Sequence, residues 1–475
     1  MALPQDFINR TKTLMGDDLW ATMSDALEQE SAISIRLNRR KWRAKEIEIN
    51  HYDGNVAWCE DGFYLSNRPP FTFDPLMHAG CYYVQEASSM FLYHVLKEVM
   101  PHKTLTALDM CAAPGGKSSL LASLLPEDSL LICNEPNKAR ANILAENMQK
   151  FGKTDTIVTC NYPKDIRQSG LTFDLIITDV PCSGEGMFRK DAQAKDEWSP
   201  LNVHKCATLQ REIVEEAWQC LNPEGILIYS TCTFNAEENE CNVYQLSKKL
   251  GAEIISIDIN DEWNITGSLA KGINIPVYRF IPGKTRGEGL FMAVLKKPAN
   301  AESFKTSSGN NNKSKKEKQK KDKKNSGITP NMNWICNPDR YTMINRDNSY
   351  FAIPDTWLSS YVKASRSLNI LKAGIPMGEI KGKDIIPAQG LALSNELNRN
   401  AFTTIEVEYT QAIDYLRKEA MRFTCDIQPG YILLTFKNIP LGFCKNIGNR
   451  ANNLYPAEWK IRSSHSPAQY ESILK

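Results

Sequence analysis

Leu105-Thr-Ala-Leu-Asp-Met-Cys-Ala-Ala-Pro-Gly-Gly-Lys117 is the stretch that decides the fold of this chain. Its apolar start is typical of a buried strand, and Gly115 and Gly116 let the backbone turn tightly and approach a ligand closely. The loop is neither a Walker A loop nor a Gly-x-Gly-x-x-Gly dinucleotide loop. Taken alone, the turn is also consistent with an ordinary connection between a strand and a helix.

Apolar runs alternate with amphipathic runs along the chain, which predicts a repeated succession of strand, turn and helix. The runs typical of strands are Leu105–Met110, Leu130–Cys133, Thr156–Cys160, Asp174–Val180 and Ile226–Ser230. The runs typical of helices are Lys117–Leu125, Asn137–Phe151, Ala207–Leu221 and Ala236–Leu250. Continuous apolar strands are typical of a parallel sheet covered on both faces, so we predict the α/β class with a doubly wound sheet. Ile275–Ile281 and Gly289–Leu295 are expected to close it as a hairpin.

Composition divides the chain into five parts. Between residues 313 and 324 there are eight Lys and two acidic residues, a local charge of +6, from which no core can form. We therefore predict a Lys-rich disordered linker over 299–329, although a basic tract can also contact phosphates. The other predicted units are 1–80, 81–298, 330–395 and 396–475, and in the last of them Thr410–Arg422 is expected to be a helix.

The whole-chain composition is that of an ordinary globular protein. Of 475 residues, 42% are hydrophobic and 24% are charged, and the net charge is +2. The 13 cysteines are odd in number and form no Cys-x-x-Cys, which argues against a disulfide framework and against a metal site of common zinc spacing. With no signal-like start and no long apolar run, a cytoplasmic protein without a membrane partner is expected.

Glu135 favours a nucleoside cofactor. It ends the second predicted strand, 26 residues after Asp109, and an acidic side chain there commonly binds the hydroxyls of a ribose. The amino-acid end of such a cofactor would lie at the Gly115–Gly116 turn. S-adenosylmethionine satisfies this description, whereas NAD fits less well because the pyrophosphate fingerprint is missing.

Two cysteines follow the ends of two further predicted strands. Cys182 lies in Thr178-Asp-Val-Pro-Cys-Ser-Gly-Glu-Gly186, and Cys232 lies in Tyr229-Ser-Thr-Cys-Thr233. Because the carboxyl ends of parallel strands meet at the ligand crevice, both thiols are expected there. Asp179-x-Pro-Cys resembles the Asp/Asn-Pro-Pro-Tyr motif of enzymes that methylate amines, with a thiol in place of the aromatic ring.

That replacement favours chemistry on a ring carbon. Cytosine C5 is too weak a nucleophile to attack a methyl sulfonium, but a thiolate that adds to C6 makes an enamine whose C5 can attack. The C5 proton then leaves and the thiol is eliminated. Without further motifs, the alternative for Cys232 is a buried structural thiol.

Together these segments resemble the Nop/Sun family of RNA cytosine-5 methyltransferases, and within it the RsmF type of bacterial ribosomal enzyme. The matching segments are Tyr83–Ser89, Asp109–Lys117, Asp179–Gly186 with Phe188–Asp191, Ser230–Asn239, and Pro440–Gly448 with Asn453–Pro456. The resemblance covers most of the chain. It implies a Rossmann-like S-adenosylmethionine-dependent methyltransferase domain, a small N-terminal α+β domain, and C-terminal α+β and PUA-like domains, the outer ones binding RNA.

The resemblance also implies roles for individual residues. Cys232 would be the nucleophile toward C6, Cys182 would assist product release, and Asp179 would hold the cytosine edge through N3 and N4. The residues implied to bind the cofactor are Cys111, Ala112, Ala113, Pro114, Gly115, Gly116, Lys117, Glu135, Asn161 and Asp179. Asn161 stands where the family often has an acidic residue. DNA cytosine-5 enzymes use a Pro-Cys thiol as nucleophile, which would exchange the two cysteine roles.

The implied function is methylation of cytosine C5 in 16S rRNA through a covalent Cys–C6 adduct, within the 30S subunit and by a monomer. Two alternatives stay open: a tRNA cytosine-5 methyltransferase, and a non-catalytic ribosome assembly factor that keeps the fold. Two basic clusters flank the catalytic region and favour contacts to phosphates. They are Arg36, Arg39, Arg40, Lys41 and Arg43, and Lys445, Arg450 and Arg462.

Overall fold

The computed structural model describes residues 3–44, 47–301, 329–423, 428–448, 450–463 and 470–475. Most of the predicted Lys-rich linker, residues 302–328, lies outside the described residues. Among the helices in the described ranges, none is long and apolar enough to cross a membrane.

The N-terminal part is a small antiparallel sheet with three helices. Its elements are α1 (Gln5–Met15), α2 (Asp17–Leu27), β1 (Ile33–Leu37), β2 (Tyr52–Asn55), β3 (Gly62–Leu65), α3 (Pro75–His78) and β4 (Tyr82–Val84). The strand order is β2-β3-β1-β4. Alternation along β1 places Ile35 and Leu37 in one apolar core and leaves Arg36 on the opposite face, toward the central domain.

The central part is an α/β unit. Its elements are α4 (Phe91–Val99), β5 (Thr106–Asp109), α5 (Gly116–Leu124), β6 (Leu130–Asn134), α6 (Lys138–Phe151), β7 (Thr156–Thr159), α7 (Pro163–Gln168), β8 (Phe173–Asp179), α8 (Ala192–Glu197), α9 (Pro200–Cys220), β9 (Leu221–Thr231), α10 (Glu240–Leu250), β10 (Glu253–Ile255), β11 (Tyr278–Phe280) and β12 (Leu290–Lys296). Strands β5 to β9 pair in parallel in the order β9-β8-β5-β6-β7. The predicted α/β class is thereby confirmed.

Both faces of this sheet are covered by apolar cores, which is why its strands read as continuous apolar runs. The predicted closing hairpin is also confirmed, since β11 pairs antiparallel with β12 and β12 pairs antiparallel with β9. Two helix starts differ from the prediction. Helix α9 begins at Pro200, where the Ser199 hydroxyl caps it, and α10 begins only at Glu240.

The C-terminal part supplies two more sheets and one strand for the central sheet. Its elements are β13 (Tyr341–Arg346), β14 (Ser349–Pro354), α11 (Leu358–Ser365), β15 (Ile370–Ala373), β16 (Ile375–Lys381), β17 (Asp384–Pro387), α12 (Gln389–Ala392), β18 (Thr403–Glu406), α13 (Tyr409–Leu416), β19 (Gly430–Phe436), β20 (Ile439–Asn446) and β21 (Ala451–Asn453). The sheets run β13-β14-β16-β17 and β18-β19-β20-β21. The helix predicted over Thr410–Arg422 ends earlier, at Leu416.

Strand β15 crosses between two predicted units. It pairs antiparallel with β7, with Ile370 opposite Thr159 and Ala373 opposite Ile157, and so forms the edge of the central sheet. The region predicted as a separate unit over 330–395 therefore completes the catalytic sheet. This pairing joins residues more than 200 positions apart, so local sequence patterns do not reveal it.

Candidate active site

The two cysteines meet at the carboxyl edge of the central sheet. Cys182 follows β8 and Cys232 follows β9, and their sulfur atoms are 3.2 Å apart although the residues are 50 positions apart in the chain. Both side chains are half-buried. One planar base placed at this point can therefore be reached by both thiols.

The loops that carry the thiols are fastened to each other. The hydroxyls of Ser183 and Thr233 are 2.9 Å apart, and the backbone N–H of Gly186 donates to the carbonyl of Cys232 at 2.8 Å. Each of these contacts involves a cysteine or its neighbour in the chain. The separation of the two sulfur atoms is therefore fixed by the backbone around them.

Two buried glutamates stabilise the contact between the two cysteine loops. Glu238 accepts from the Ser183 backbone N–H at 3.0 Å and from Gln210 Nε2 at 2.7 Å. Glu185 accepts from the backbone N–H groups of Phe234 and Asn235 at 2.7 and 2.9 Å. The carboxylates thus link the Cys182 loop to the Cys232 loop. Sequence reasoning gave them no role, since a glutamate in a polar run is usually exposed.

Each carboxylate oxygen of Asp179 has a side-chain partner. Ser230 donates to Oδ1 at 2.7 Å, and Lys117 lies 2.9 Å from Oδ2. Burial lowers the pKa of the Lys117 ammonium, but the attraction of Asp179 outweighs it and leaves that pKa above its ordinary value. Lys117 therefore stays charged and joins the cofactor loop to the residue predicted to hold the cytosine.

The cofactor loop begins at an acidic side chain, and only one of its two carboxylate oxygens has a hydrogen-bond partner among the described residues. Asp109 is buried, its Oδ2 accepts from the Ser118 hydroxyl at 2.6 Å, and its Oδ1 has no hydrogen-bond partner among the described residues. Beside it Gly115, at φ +116°, turns the chain into α5 as a left-handed residue that favours glycine. A buried oxygen without a donor fits the ammonium group of an amino-acid cofactor.

Glu135 lies at the end of β6, as predicted. One carboxylate oxygen accepts from the Asn137 backbone N–H at 2.9 Å, and the other lies 3.4 Å from Arg140. The loop after β5 and Glu135 thus border the same edge of two neighbouring parallel strands. This arrangement fits a ligand with an amino-acid end and a ribose.

Three protein-family models match the region that carries this site and the regions before and after it in the chain. Residues 96–296 match 16S rRNA methyltransferase RsmB/F, residues 3–87 match the N-terminal domain of 16S rRNA methyltransferase RsmF, and residues 402–461 match the methyltransferase RsmF PUA domain. The chain belongs to the RsmF type of this family. Its cofactor is S-adenosylmethionine, and the N-terminal and PUA components predicted from the sequence are confirmed.

Curated relatives and solved structures agree with the RsmF type. Ribosomal RNA small subunit methyltransferase F of Aliivibrio salmonicida is 29% identical over 440 residues, which cover 90% of each chain. The protein of the same name from Vibrio cholerae is 28% identical and covers 96% of this chain and 98% of its own. A methyltransferase homolog protein from Pyrococcus horikoshii is 25% identical, covers 62% of this chain and 95% of its own, and has a TM-score of 0.53.

In this RsmF-type chain, Asn161 makes hydrogen bonds at the edge of the central sheet, where β15 pairs with β7. Its side-chain oxygen accepts from the backbone N–H of Asn369 at 2.9 Å, directly before β15. Its backbone N–H donates to the side-chain oxygen of Asn134 at 3.1 Å. The structure thus gives Asn161 a role in docking β15, and its contact with the cofactor stays a prediction.

Two members of the N-terminal basic cluster are not phosphate ligands, so that expectation is wrong for them. Arg36 is 1% exposed and donates to Gln85 Oε1 at 2.8 Å and to Ser119 Oγ at 2.7 Å. The Lys41 ammonium donates to the Ala79 carbonyl at 2.6 Å and to the carbonyl of Lys150 in α6, and burial lowers its pKa to about 7. Both cations instead join the N-terminal part to the catalytic domain, a use that only their packing reveals.

We expect Arg36→Met to weaken cofactor binding about tenfold. Arg36 also donates to the Gly116 carbonyl at 3.4 Å, so it holds the loop that carries Lys117. Removing its charged hydrogen bonds costs about 1.5–3 kcal/mol, part of which falls on the loop. Isothermal titration with S-adenosylmethionine measures the effect. Arg39→Gln is the control, because that exposed arginine pairs with Asp61 away from the loop; an unchanged affinity in Arg36→Met would contradict the prediction.

We expect the unfolding free energy of Asp109→Asn to increase relative to that of wild type as the pH rises. Burial raises the pKa of Asp109 to about 7, so the folded protein holds this proton up to that pH whereas the unfolded chain releases it near pH 4. Ionisation of Asp109 therefore lowers stability as the pH rises from about 4 to 7. The difference in unfolding free energy between wild type and Asp109→Asn, from denaturant titrations at pH 5 and 7.5, should shift by roughly 1–3 kcal/mol toward the variant. A difference independent of pH would contradict this.

Proposed function

We propose that this protein transfers a methyl group from S-adenosylmethionine to C5 of a cytosine in 16S rRNA, with Cys232 as the nucleophile toward C6. The observation that carries the proposal is the pair of sulfur atoms 3.2 Å apart beside the Asp179–Lys117 ion pair. A single base at this point meets two thiols and a carboxylate. Amine methylation needs none of these thiols, so the geometry favours attack on a ring carbon.

The surroundings of Cys182 make it a poor source of a thiolate. The hydrogen bond between the sulfur atoms, followed by burial, raises the pKa of Cys182 well above that of an ordinary thiol. When two acidic groups share one site, one gives up its proton and the other keeps it. A thiolate on Cys182 is therefore disfavoured, which supports Cys232 as the nucleophile.

The reaction then follows from electron balance. The Cys232 thiolate forms a bond to C6, and the electrons of the C5–C6 double bond become available at C5. S-adenosylmethionine would supply the methyl group from its sulfonium centre, where the S–CH3 bond breaks and a neutral thioether leaves as C5 forms its bond to the methyl carbon. Loss of the C5 proton returns its electron pair to the ring, so the double bond re-forms and the C6–S bond breaks. Solvent water takes the C5 proton, and Cys182, next to this bond, donates its thiol proton to the leaving Cys232 sulfur and so assists release of the product.

Asp179 orients the base during addition. Its carboxylate is fixed by Ser230 and Lys117, so it meets the cytosine edge without further ordering. Hydrogen bonds accepted from N4 and from a protonated N3 favour the charge that develops when sulfur adds to C6. Asp109, the 111–117 loop and Glu135 would hold the cofactor on the neighbouring strand ends, with the free Asp109 oxygen toward its ammonium group.

The substrate setting follows from the names of the relatives. Both proteins cited above are small-subunit rRNA methyltransferases. A base in a loop or loosened helix of a 30S particle costs less to take out of its stack than one in a regular duplex. We therefore propose the 30S subunit as the working substrate, the cytoplasm as the location and a monomer as the active form.

Labelled S-adenosylmethionine tests the function directly. Purified protein is incubated with unmodified 30S subunits, with protein-free 16S rRNA and with bulk tRNA, and nucleosides are separated by chromatography. Label in 5-methylcytidine from small-subunit RNA, absent from tRNA, supports the proposal. Label mainly in tRNA would move the substrate to the tRNA alternative, and no label in any RNA would favour the assembly-factor alternative.

A further inference from the structure

We propose a second RNA-binding site: a basic cavity that binds the phosphodiester backbone of the rRNA substrate away from the target base. This inference rests on the proposed function, since it assigns a further contact to the same RNA. The cavity has a volume of about 580 Å³ and lies between the segment after β1, the segment around α12 and the β19–β20 turn. The cations that line it and can meet an anion are Arg40, Arg43, Arg399 and Lys437, whereas the ammonium of Lys41, which also lines it, is bound to backbone carbonyls.

Cations predominate around this basic cavity. None of the described residues that line it is acidic, and of its arginines only Arg40 also borders the neighbouring cavity that contains Asp128 and Asp155. Within the described ranges of the chain, no carboxylate lies within 4.0 Å of the side-chain nitrogens of Arg40, Arg43, Arg399 or Lys437. By contrast, Arg39 pairs with Asp61 at 2.6 Å. Uncompensated cations around a cavity raise the local concentration of anions, and RNA is the polyanion that the proposed reaction brings to this protein.

Two lining residues also carry buried donors without acceptors. Trp42 is 9% exposed and its indole N–H has no partner in the described structure, and the same holds for the Nε–H of Arg40. A buried donor left without an acceptor costs about 1–3 kcal/mol. Phosphate and ribose oxygens are acceptors that would satisfy such donors. Both residues line the cavity, so an acceptor-rich ligand there has the chemistry that these two donors lack.

The cavity has a defined position relative to the cofactor site. Gly152 caps the end of α6, and its carbonyl accepts from the backbone N–H of Asn395, a lining residue, at 3.0 Å. The other end of α6 begins just after Glu135. The helix has 14 residues and so spans about 21 Å. An RNA segment of several nucleotides covers that distance, so contacts in the cavity would orient the RNA without reading its sequence.

The test uses two exposed arginines that the catalytic site does not involve. The double variant Arg43→Gln/Arg399→Gln removes two cavity charges, and Lys381→Gln/Lys383→Gln, in the exposed turn between β16 and β17, is the matched control. Methylation of protein-free 16S rRNA and of 30S subunits is measured from 50 to 200 mM salt. We expect the KM for RNA to rise about 5- to 20-fold in the cavity variant, and the slope of log KM against log salt to fall by about 1–2. The KM for S-adenosylmethionine and kcat should stay at wild-type values, as should all values of the control.

Three outcomes would overturn the inference. Equal KM values and salt slopes in the two double variants would show that the cavity does not touch RNA. A loss on 30S subunits alone, with protein-free 16S rRNA unaffected, would assign the cavity to a ribosomal protein. Protection against thermal unfolding by inorganic phosphate with no change in the KM for RNA would make it a small-anion site. Because wild-type activity is measured in the same experiment, failure of the proposed function is seen separately.

Discussion

Cys232→Ala is expected to abolish methyl transfer, with a loss on the order of 10⁴-fold or more, because no other route activates C5. The variant should still bind S-adenosylmethionine and RNA, since the hydrogen bonds around the loop involve its backbone and its neighbours. Transfer of label to 30S subunits measures the rate. Cys206→Ala is the control, because this half-buried thiol of α9 lies outside the sulfur pair and its loss should leave the rate unchanged.

Cys182→Ala should fail at a different step. Addition through Cys232 still occurs, but release lacks the neighbouring thiol, so a covalent protein–RNA adduct should accumulate. A denaturing gel with labelled RNA shows the adduct as a shifted band, which the double variant Cys182→Ala/Cys232→Ala should not form. If Cys182→Ala were inactive without an adduct while Cys232→Ala still turned over, the Pro-Cys thiol would be the nucleophile and both assignments would be reversed.

Glu185→Ala is expected to lower the unfolding free energy by about 3–5 kcal/mol, since it leaves several buried donors without an acceptor. Glu185 is 1% exposed and also accepts from the Trp198 indole N–H at 3.0 Å. The same change frees the backbone of Phe234 and Asn235, which follow Cys232, so activity should fall together with stability. Denaturant titration measures the first effect and labelled methyl transfer the second.

Two further variants define what Glu185 does. Glu197→Ala removes an exposed carboxylate of α8 and should change the unfolding free energy by less than about 0.5 kcal/mol. Glu185→Gln keeps the shape and one acceptor, and should lie between wild type and Glu185→Ala. If Glu185→Ala were as stable as Glu197→Ala, the carboxylate would not be the link between the two cysteine loops.

Much of the catalytic domain could be predicted from local sequence. The strands β5 to β9 are continuous apolar runs because both faces of the sheet are buried, and strand ends in such a sheet lie together whatever the loops do. The local sequence therefore predicts Cys182, Cys232 and Glu135 at one edge of the sheet. Their roles as nucleophile, release group and ribose ligand stay predictions, which the variants above test.

Residues that act through burial could not be predicted in this way. Arg36 looked like part of a surface cluster, yet strand alternation turns it inward onto the cofactor loop. Glu185 and Glu238 receive no role from the sequence, because their partners come from a loop about 50 positions away. A charged side chain is assigned to the surface by default, and only the surrounding partners show when it is not.

Local periodicity and motif residues that are near each other in the chain are enough to predict the α/β class, the cofactor loop, the alternation of strands and helices, and the two thiols at strand ends. The order of the strands in the sheet, the buried carboxylates, the cations without a carboxylate partner and the addition of β15 to the central sheet become visible only in the folded chain. Those features depend on contacts between distant segments, and the energy of a charge is set by the partners and solvent around it rather than by its neighbours in sequence.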